Sequence, residues 1–382
     1  MRLVGDFAQW LFEMAAREKN VAELHRLFCE RLVSFGLPLW RSSLGLEVLN
    51  PEIDGSQFRW VAHEVETRLM PRGTDYGGSP GQVVDDTGNP YRRRLDAPVS
   101  DMPLLEELRQ MGATDYYIVP LPFIDRHRTA HLSFATLKPE GFTEDDLQAL
   151  REATLIFSPC AERYVLRQIA IDLLTTYVGR RSAARIYEGA LDRGKAEMIT
   201  ATILIADLRG FTHYSETRPI ANVLSTLNDF FDVLVAAIEP RGGEVLKFIG
   251  DALLAIFPAS AGEALPCEPA IAAALDARHR IAALNEERMK AGRSLLKFGL
   301  ALNAGEIAYG NIGSKSRLDF TAIGPAINHT SRLLEVAKKL DRDIVLSESF
   351  AKASGKHYPS LGRHELRDIA GEQQVFCIAE GD

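Results

Sequence analysis

The sequence is short of the features that mark several protein classes. Its 382 residues include only four cysteines, Cys29, Cys160, Cys267 and Cys377. They lie far apart and form no CxxC pair. That speaks against a disulfide framework or a thiolate metal cluster and fits reduced thiols buried in a core. Basic residues are outnumbered, with 44 Lys and Arg against 52 Asp and Glu and a net charge of −8. No basic run breaks that balance, so general electrostatic binding to nucleic acid is not expected. No stretch approaches the ~20 consecutive apolar residues of a membrane helix. The longest apolar run, near Ile203–Ala206, has strand length. The start, MRLVGDFAQW, meets an acid at Asp6 and lacks the apolar core of a signal peptide. These absences predict a cytoplasmic protein without a transmembrane segment and leave peripheral membrane contact open. What is present is ordinary for globular protein, and the length allows two or three domains with real cores.

Phe7, Leu11 and Met14, then Val21, Leu24, Leu27, Phe28 and Leu32, fall at helical spacing and predict two helices over 3–35. Alternation predicts strands at 41–50 and 57–63. Residues 69–100 are rich in Gly, Pro, Asp and Arg and read as a long loop, a lid or a disordered stretch. A short helix at Leu104–Met111 ends at Gly112. Strands follow at Tyr116–Phe123 and His131–Leu137, around a polar turn at 125–128. The next helix starts at Thr143, with Asp146 placed close to a capping box. This order, with the phrases MGATDYYIVPLPF and GFTEDDLQAL, resembles a GAF-type sensory domain over residues 1–160. The resemblance implies an α/β module that binds a small ligand or dimerises, with a small-molecule or protein effector of unknown identity. No cysteine stands where a chromophore would attach. His127 and His131 are candidate ligands, although turn and strand histidines are more often solvated or hydrogen-bonded.

Residues 161–197 read as a helical linker. Leu166, Ala170, Leu173 and Tyr177 form a short coiled-coil seam. A parallel dimer stalk and a helix packed on its own domain fit that seam equally. Gly179 interrupts it, a second short helix carries Ala183, Ala184 and Ile186, and the polar stretch 192–197 reads as a boundary.

Residues 198–382 read as an α+β domain. Met198–Ala206 is an apolar strand suited to burial on both faces. Ile220, Val223, Leu224, Leu227, Phe230, Phe231, Leu234 and Ile238 make a strong helical stripe, stopped by Pro240, Gly242 and Gly243. Strands at 245–249 and 252–257 flank Gly250-Asp251. A helix at 269–290 follows, then strands at 297–303 and 306–311 joined at Gly305. Another strand covers 319–323, and a helix begins at Pro325. Late strands are expected at 344–346 and 374–379. The pattern suggests a ferredoxin-like core with helices on one face of the sheet.

Asp207 ends the first buried strand, and Arg209-Gly210-Phe211 makes a tight turn into a helix. Backbone N–H groups at such a turn converge on one place and suit an anion. Asp251 sits at a hairpin tip. If the hairpin pairs beside the first strand, the two carboxylates meet, and they repel unless cations bridge them. Oxygen ligands together with phosphate point to Mg²⁺ or Mn²⁺. Taken singly, Asp207 as a helix cap and Gly250-Asp251 as a plain turn are the commoner explanations.

Four segments then occur in order: ADLRGFTHYSE, GGEVLKFIGDALLAIFP, LNAGEIAYGNIG and LDFTAIGPAINHTSRL. Together they resemble the catalytic domain of class III nucleotidyl cyclases. The resemblance implies that a ribose 3′-oxygen attacks the α-phosphorus, expels pyrophosphate and closes a cyclic monophosphate, with two metal ions per site. It implies that Asp207 and Asp251 are metal ligands, with the Leu208 carbonyl as a third. Arg209, Gly210, Phe211 and Thr212 would form the phosphate turn. Asn328 would orient the ribose, and Arg332 would stabilise charge at the α-phosphate. Lys247 and Thr321 would read the base. A lysine donates to adenine N1, and a hydroxyl accepts from the adenine amino group, so this pair favours ATP. Cyclase activity on GTP or a pyrimidine triphosphate, and a nucleotide-binding sensor without turnover, remain alternatives. The resemblance also implies a homodimer in which one chain supplies the aspartates and Lys247, and its partner supplies Thr321, Asn328 and Arg332. Two departures stand out. Ala370 occupies the place of an expected triphosphate-binding lysine, for which Arg367, Lys315 or Arg317 would have to substitute. Pro325 and His329-Thr330 replace the usual residues of the Asn–Arg helix.

Overall fold

The computed structural model describes residues 2–47, 53–73, 77–124, 130–190, 192–260 and 262–378. The chain divides into two compact units, Met1–Leu173 and Leu174–Asp382.

The first unit runs α1 (Arg2–Arg17), α2 (Val21–Ser34), β1 (Arg41–Glu47), β2 (Ile53–Val61), β3 (Glu64–Pro71), α3 (Pro80–Thr87), β4 (Tyr91–Arg94), α4 (Pro103–Gln110), β5 (Asp115–Pro120), β6 (Ala130–Thr136) and α5 (Glu144–Val178). Its strands form one antiparallel sheet in the order β3-β2-β1-β6-β5-β4. Alternation along β5 divides the core between two faces. Tyr117 and Val119 join Phe28, Phe134 and Phe157 under α1, α2 and α5, whereas Tyr116 and Ile118 join Val84, Leu105 and Leu108 under α3 and α4. The helix expected at Thr143 is capped as its sequence suggests. The Thr143 amide donates to Asp146 Oδ2 at 2.9 Å, and the Asp146 amide donates to Thr143 Oγ1 at 3.1 Å. Along α5, Leu166, Leu173 and Tyr177 of the expected seam are exposed.

The long loop expected at 69–100 is absent, because β3, α3 and β4 lie in or border that range. Helix α3 starts after Ser79, whose side chain caps it, has Pro80 in its first turn, and ends at Gly88 in the left-handed region. Strand β4 is Tyr-Arg-Arg-Arg, which no hydrophobic alternation reveals. It is held by charge. Arg92 reaches Asp115, fully buried on β5, at 2.8 Å, and donates to the Phe142 carbonyl at 2.7 Å. The turn at 125–128, with His127, lies outside the described residues.

The second unit continues with α6 (Arg180–Tyr187), β7 (Ala196–Leu208), α7 (Phe211–Thr217), α8 (Ile220–Ile238), β8 (Glu244–Ile249), β9 (Ala252–Pro258), α9 (Cys267–Lys290), β10 (Phe298–Gly313), β11 (Leu318–Ile323), α10 (Pro325–Lys339), β12 (Ile344–Ser347), α11 (Glu348–Ser354), β13 (Ser360–Glu365) and β14 (Glu372–Cys377). The sheet order is β13-β14-β12-β10-β7-β9-β8, with β11 paired to β10. Within it, β7-α8-β8-β9-α9-β10 is a βαββαβ unit with spatial order β10-β7-β9-β8 and antiparallel neighbours, the ferredoxin-like core expected. Helices cover both faces rather than one. Leu204, Ala206 and Leu208 of β7 pack with α8 and α9, while Ala201, Ile203 and Ile205 pack with α10. Strand β10 is also continuous through Gly305 instead of breaking there, since Gly305 pairs with Ala201 of β7. A Cβ at Gly305 would lie 2.8 Å from the Ala326 Cβ, so this glycine lets α10 approach and makes no turn.

Among the described residues one helix, Ile220–Arg241, is long and apolar enough to cross a membrane by composition. Its Phe230, Leu234, Ala237 and Ile238 are buried in the core, as in a globular domain.

Candidate active site

The site forms where the ends of β7 and the β8–β9 hairpin meet. Asp207 stands in register with Ala252 of β9 on one side and Gly299 of β10 on the other. Asp251 immediately precedes Ala252, so ladder register alone puts the two aspartates side by side. Gly299 keeps the place open, because a Cβ there would lie 3.3 Å from Asp207 Oδ1. Burial, with the Asp251 charge adding to it, pushes the Asp207 carboxyl up to about 6 against the pull of Lys338 and Arg209. A half-buried carboxylate beside a second one would be stabilised by a bound cation. The described residues contain no cluster of three or more His, Cys, Asp or Glu suited to a metal. The protein thus offers two carboxylates, and backbone and ligand oxygens would have to complete a hard-cation shell, which fits Mg²⁺ or Mn²⁺. The Leu208 side chain has no donor atom, so only its backbone carbonyl could contribute.

Next to the aspartates, Gly210 adopts φ +72° and leads into α7, a helix end with no side-chain cap. Arg209 does not belong to the anion-binding set. Its amide donates to the Lys297 carbonyl at 2.8 Å, and its guanidinium is held by Asp341 and the Arg342 and Ala337 carbonyls. The N–H groups of Gly210, Phe211 and Thr212 lie at this helix start, where intrahelical partners are lacking.

Lys247, on β8, pairs with Asp319 of β11 at 2.5 Å. Asp319 lies two residues before Thr321 and therefore on the same strand face. Thr321 is buried, and its Oγ1 has no hydrogen-bond partner, an orphan group of the kind a ligand would satisfy. Asp319 was not singled out in the sequence. Its signal is the alternation that puts it beside Thr321.

Asn328 and Arg332 lie elsewhere. Helix α10 begins near the middle of β10, where Asn303 Nδ2 donates to the Ala326 carbonyl at 2.9 Å. Its far end reaches Arg209 through the Ala337 carbonyl, with Lys338 close enough to act on Asp207. At 1.5 Å per residue, Asn328 is about 15 Å along the axis from the Lys338 end, and Arg332 about 9 Å. Asn328 is exposed, whereas Arg332 pairs with Glu335 at 2.7 Å and Asp368 at 3.5 Å. Burial holds the His329 imidazole below its ordinary value, against a hydrogen bond with Gln373. Arg367 is mostly exposed and sits within 3.5 Å of Glu335.

Comparison with known proteins assigns this unit. Residues 195–378 match the family model described as the adenylate and guanylate cyclase catalytic domain. An uncharacterized protein of Mycobacterium tuberculosis is 33% identical over 219 residues, which are 56% of this chain and 38% of that protein. One from Mycobacterium bovis is 31% identical over 217 residues, with the same shares. The matched segment thus spans less than two fifths of the length of these curated relatives. Among solved structures, the guanylyl cyclase Cya2 is 26% identical with TM-score 0.43, covering 47% of this chain and 92% of its own. The adenylyl cyclase CyaB from P. aeruginosa is 22% identical with TM-score 0.44, covering 49% and 97%. The family match thus places an adenylate and guanylate cyclase catalytic domain at residues 195–378, within the second unit.

Proposed function

We propose that the protein is an adenylate cyclase that converts ATP to 3′,5′-cyclic AMP and pyrophosphate, at sites completed by two copies of the chain. The observation that carries the reading is the register of β7 with β9, which sets Asp207 beside Asp251 next to the uncapped start of α7. Mg²⁺ or Mn²⁺ held there would supply Lewis acidity to the attacking hydroxyl and the leaving phosphates. The chain's own groups do the rest. The Gly210–Thr212 amides orient the triphosphate, and the aspartates fix where its cations sit. Lys247 and the orphan Thr321 hydroxyl suit adenine, as donor and acceptor respectively.

The shared site follows from α10. In one chain Asn328 is too far along the helix from the aspartates to reach the same triphosphate, so a second chain would supply it. Exposed Ile220 and Leu224 of α8 and Phe248 and Ile249 of β8 form an apolar surface suited to that contact. The first unit, with its antiparallel sheet covered on both faces by helices, would be a GAF-like sensor acting through the α5 helix.

The test is product formation from each of the four nucleoside triphosphates with Mg²⁺ or Mn²⁺. Cyclic AMP should dominate. Dominance of another cyclic nucleotide overturns the base assignment alone. Absence of any cyclic product, with Asp207→Ala changing nothing, overturns the cyclase reading. A nucleotide-binding sensor is the second reading. It is favoured by Ala370 and by the engagement of Arg332 with two acids, and it predicts ATP binding without turnover.

A further inference from the structure

The first unit contains a cavity of about 400 Å³ on the α3–α4 side of its sheet. Its floor is a ladder. Arg41, Ser43 and Gly45 of β1 stand opposite Ala135, Ser133 and His131 of β6. Leu104 and Leu108 of α4, with Ile118 of β5, give it an apolar wall.

The polar groups in this lining are not those of a packing void. Arg41 is only 6% exposed, and among the described residues its guanidinium has no ion pair or hydrogen bond. Burial, and the like charge of Arg59 nearby, push its pKa down from the ordinary arginine value against the weaker pull of Glu107 and Glu66. Ser43 Oγ and His131 Nδ1 are likewise buried without partners. Native proteins rarely leave such groups unsatisfied, and a buried unpaired cation is costlier than an unpaired hydroxyl. Burial also holds His131 down to about 4, so it is neutral and adds hydrogen-bonding capacity rather than charge. The acids lining the cavity are at the other end of β1 or elsewhere, and they are engaged. Glu47 is six residues from Arg41, roughly 20 Å along the strand. Asp54 pairs with Arg72 at 3.5 Å and accepts from the Gly73 amide at 2.7 Å, and Glu47 and Asp85 also have partners. The cavity lining thus has one positive charge without a direct ion pair, with Glu107 and Glu66 acting on it only from a distance.

We propose that this cavity binds a small organic monoanion, its carboxylate held by Arg41, Ser43 and Ser133 and its apolar body against Leu104, Leu108 and Ile118. Tyr116, buried beside Ser133, is a further neutral donor at that end. This deepens the sensor reading of the first unit, and only its regulatory consequence rests on that reading.

The test is thermal melting of the full chain, without nucleotide, in the presence of benzoate, phenylacetate or hexanoate. Benzamide, phenylacetamide and hexanamide are the neutral counterparts. At least one acid should raise the melting temperature by a few degrees while its amide does not, and Arg41→Met should abolish the shift. Without ligand, Arg41→Met should melt at the same temperature or higher, because it removes an unpaired buried cation. An arginine with a purely structural role would instead lower it. The proposal is overturned if no acid shifts the melting point, if amides shift it equally, if the shift survives Arg41→Met, or if that variant is markedly destabilised. Cyclase activity does not enter this readout, so its failure and that of the cyclase reading are separable.

Discussion

Replacing Asp207 with Asn should make the metal-free protein more stable while removing its activity. The folded state holds this carboxyl at about 6 against an ordinary 3.8, so folding favours its protonated form. The stability associated with it is therefore complete below about pH 4 and is lost as pH rises to about 6. Above that the penalty is constant. At ~1.4 kcal/mol per pH unit it amounts to about 3 kcal/mol, and partial solvent exposure reduces it to about 2 kcal/mol. For a unit of this size, that is roughly 4–8 °C in melting temperature. The assay is thermal melting of both proteins in chelator from pH 4 to pH 8. Asp207→Asn should match the parent near pH 4, gain between pH 4 and 6, and hold a constant lead above. Addition of Mn²⁺ should close the gap by stabilising the parent alone. An Asn variant equal to or less stable than the parent at pH 8 in chelator would refute the electrostatic reasoning.

Other consequences follow from buried polar groups. Arg92→Met leaves the fully buried Asp115 carboxylate with Arg94 at 3.7 Å and the Phe142 amide at 3.0 Å as its remaining partners, and should cost about 3 kcal/mol in denaturant unfolding, the low end for a broken buried pair. Adding Asp115→Asn should recover part of that loss in a double-mutant cycle. In the second unit, buried Glu244 of β8 accepts from the Ser182 amide at 3.0 Å and from Tyr309 Oη at 2.9 Å, tying α6 to the hairpin that presents Lys247 and Asp251. Glu244→Gln should destabilise that unit by about 1–3 kcal/mol, read as a lower melting temperature, because an amide cannot accept at both oxygens. Lys247→Ala should raise KM for ATP more than it lowers kcat, since the lysine would touch the base and not the reacting phosphorus.

The sequence was most legible where one physical signal dominated. Hydrophobic period and turn glycines located β7, α8 and the hairpin around Asp251, and register then followed from the pairing of apolar strands. It was least legible where charge replaced hydrophobicity. Strand β4 is three arginines in a row after Tyr91, and its reason for existing, buried Asp115, is 23 residues away from Arg92. Gly305 misled for a related cause. A glycine inside a strand can mark a bend or a close approach, and only the distance to Ala326 tells them apart. Arg209 shows the same limit at the site. Its place in the turn was readable, but its capture by Asp341 and two carbonyls, more than 100 residues downstream, was not. The cavity around Arg41 was not legible at all, because an arginine in a strand looks solvated until its neighbours are known.

A cyclase site divided between two chains can be tested directly by mixing variants. Asp207→Ala and Arg332→Ala would each be inactive alone, having lost one half of every site. Coexpressed, random pairing makes half the dimers mixed, and each mixed dimer keeps one intact site of two. Cyclic AMP formation should then return to roughly a quarter of the parent's rate. A mixture that stays at background while both variants fold and dimerise would contradict it.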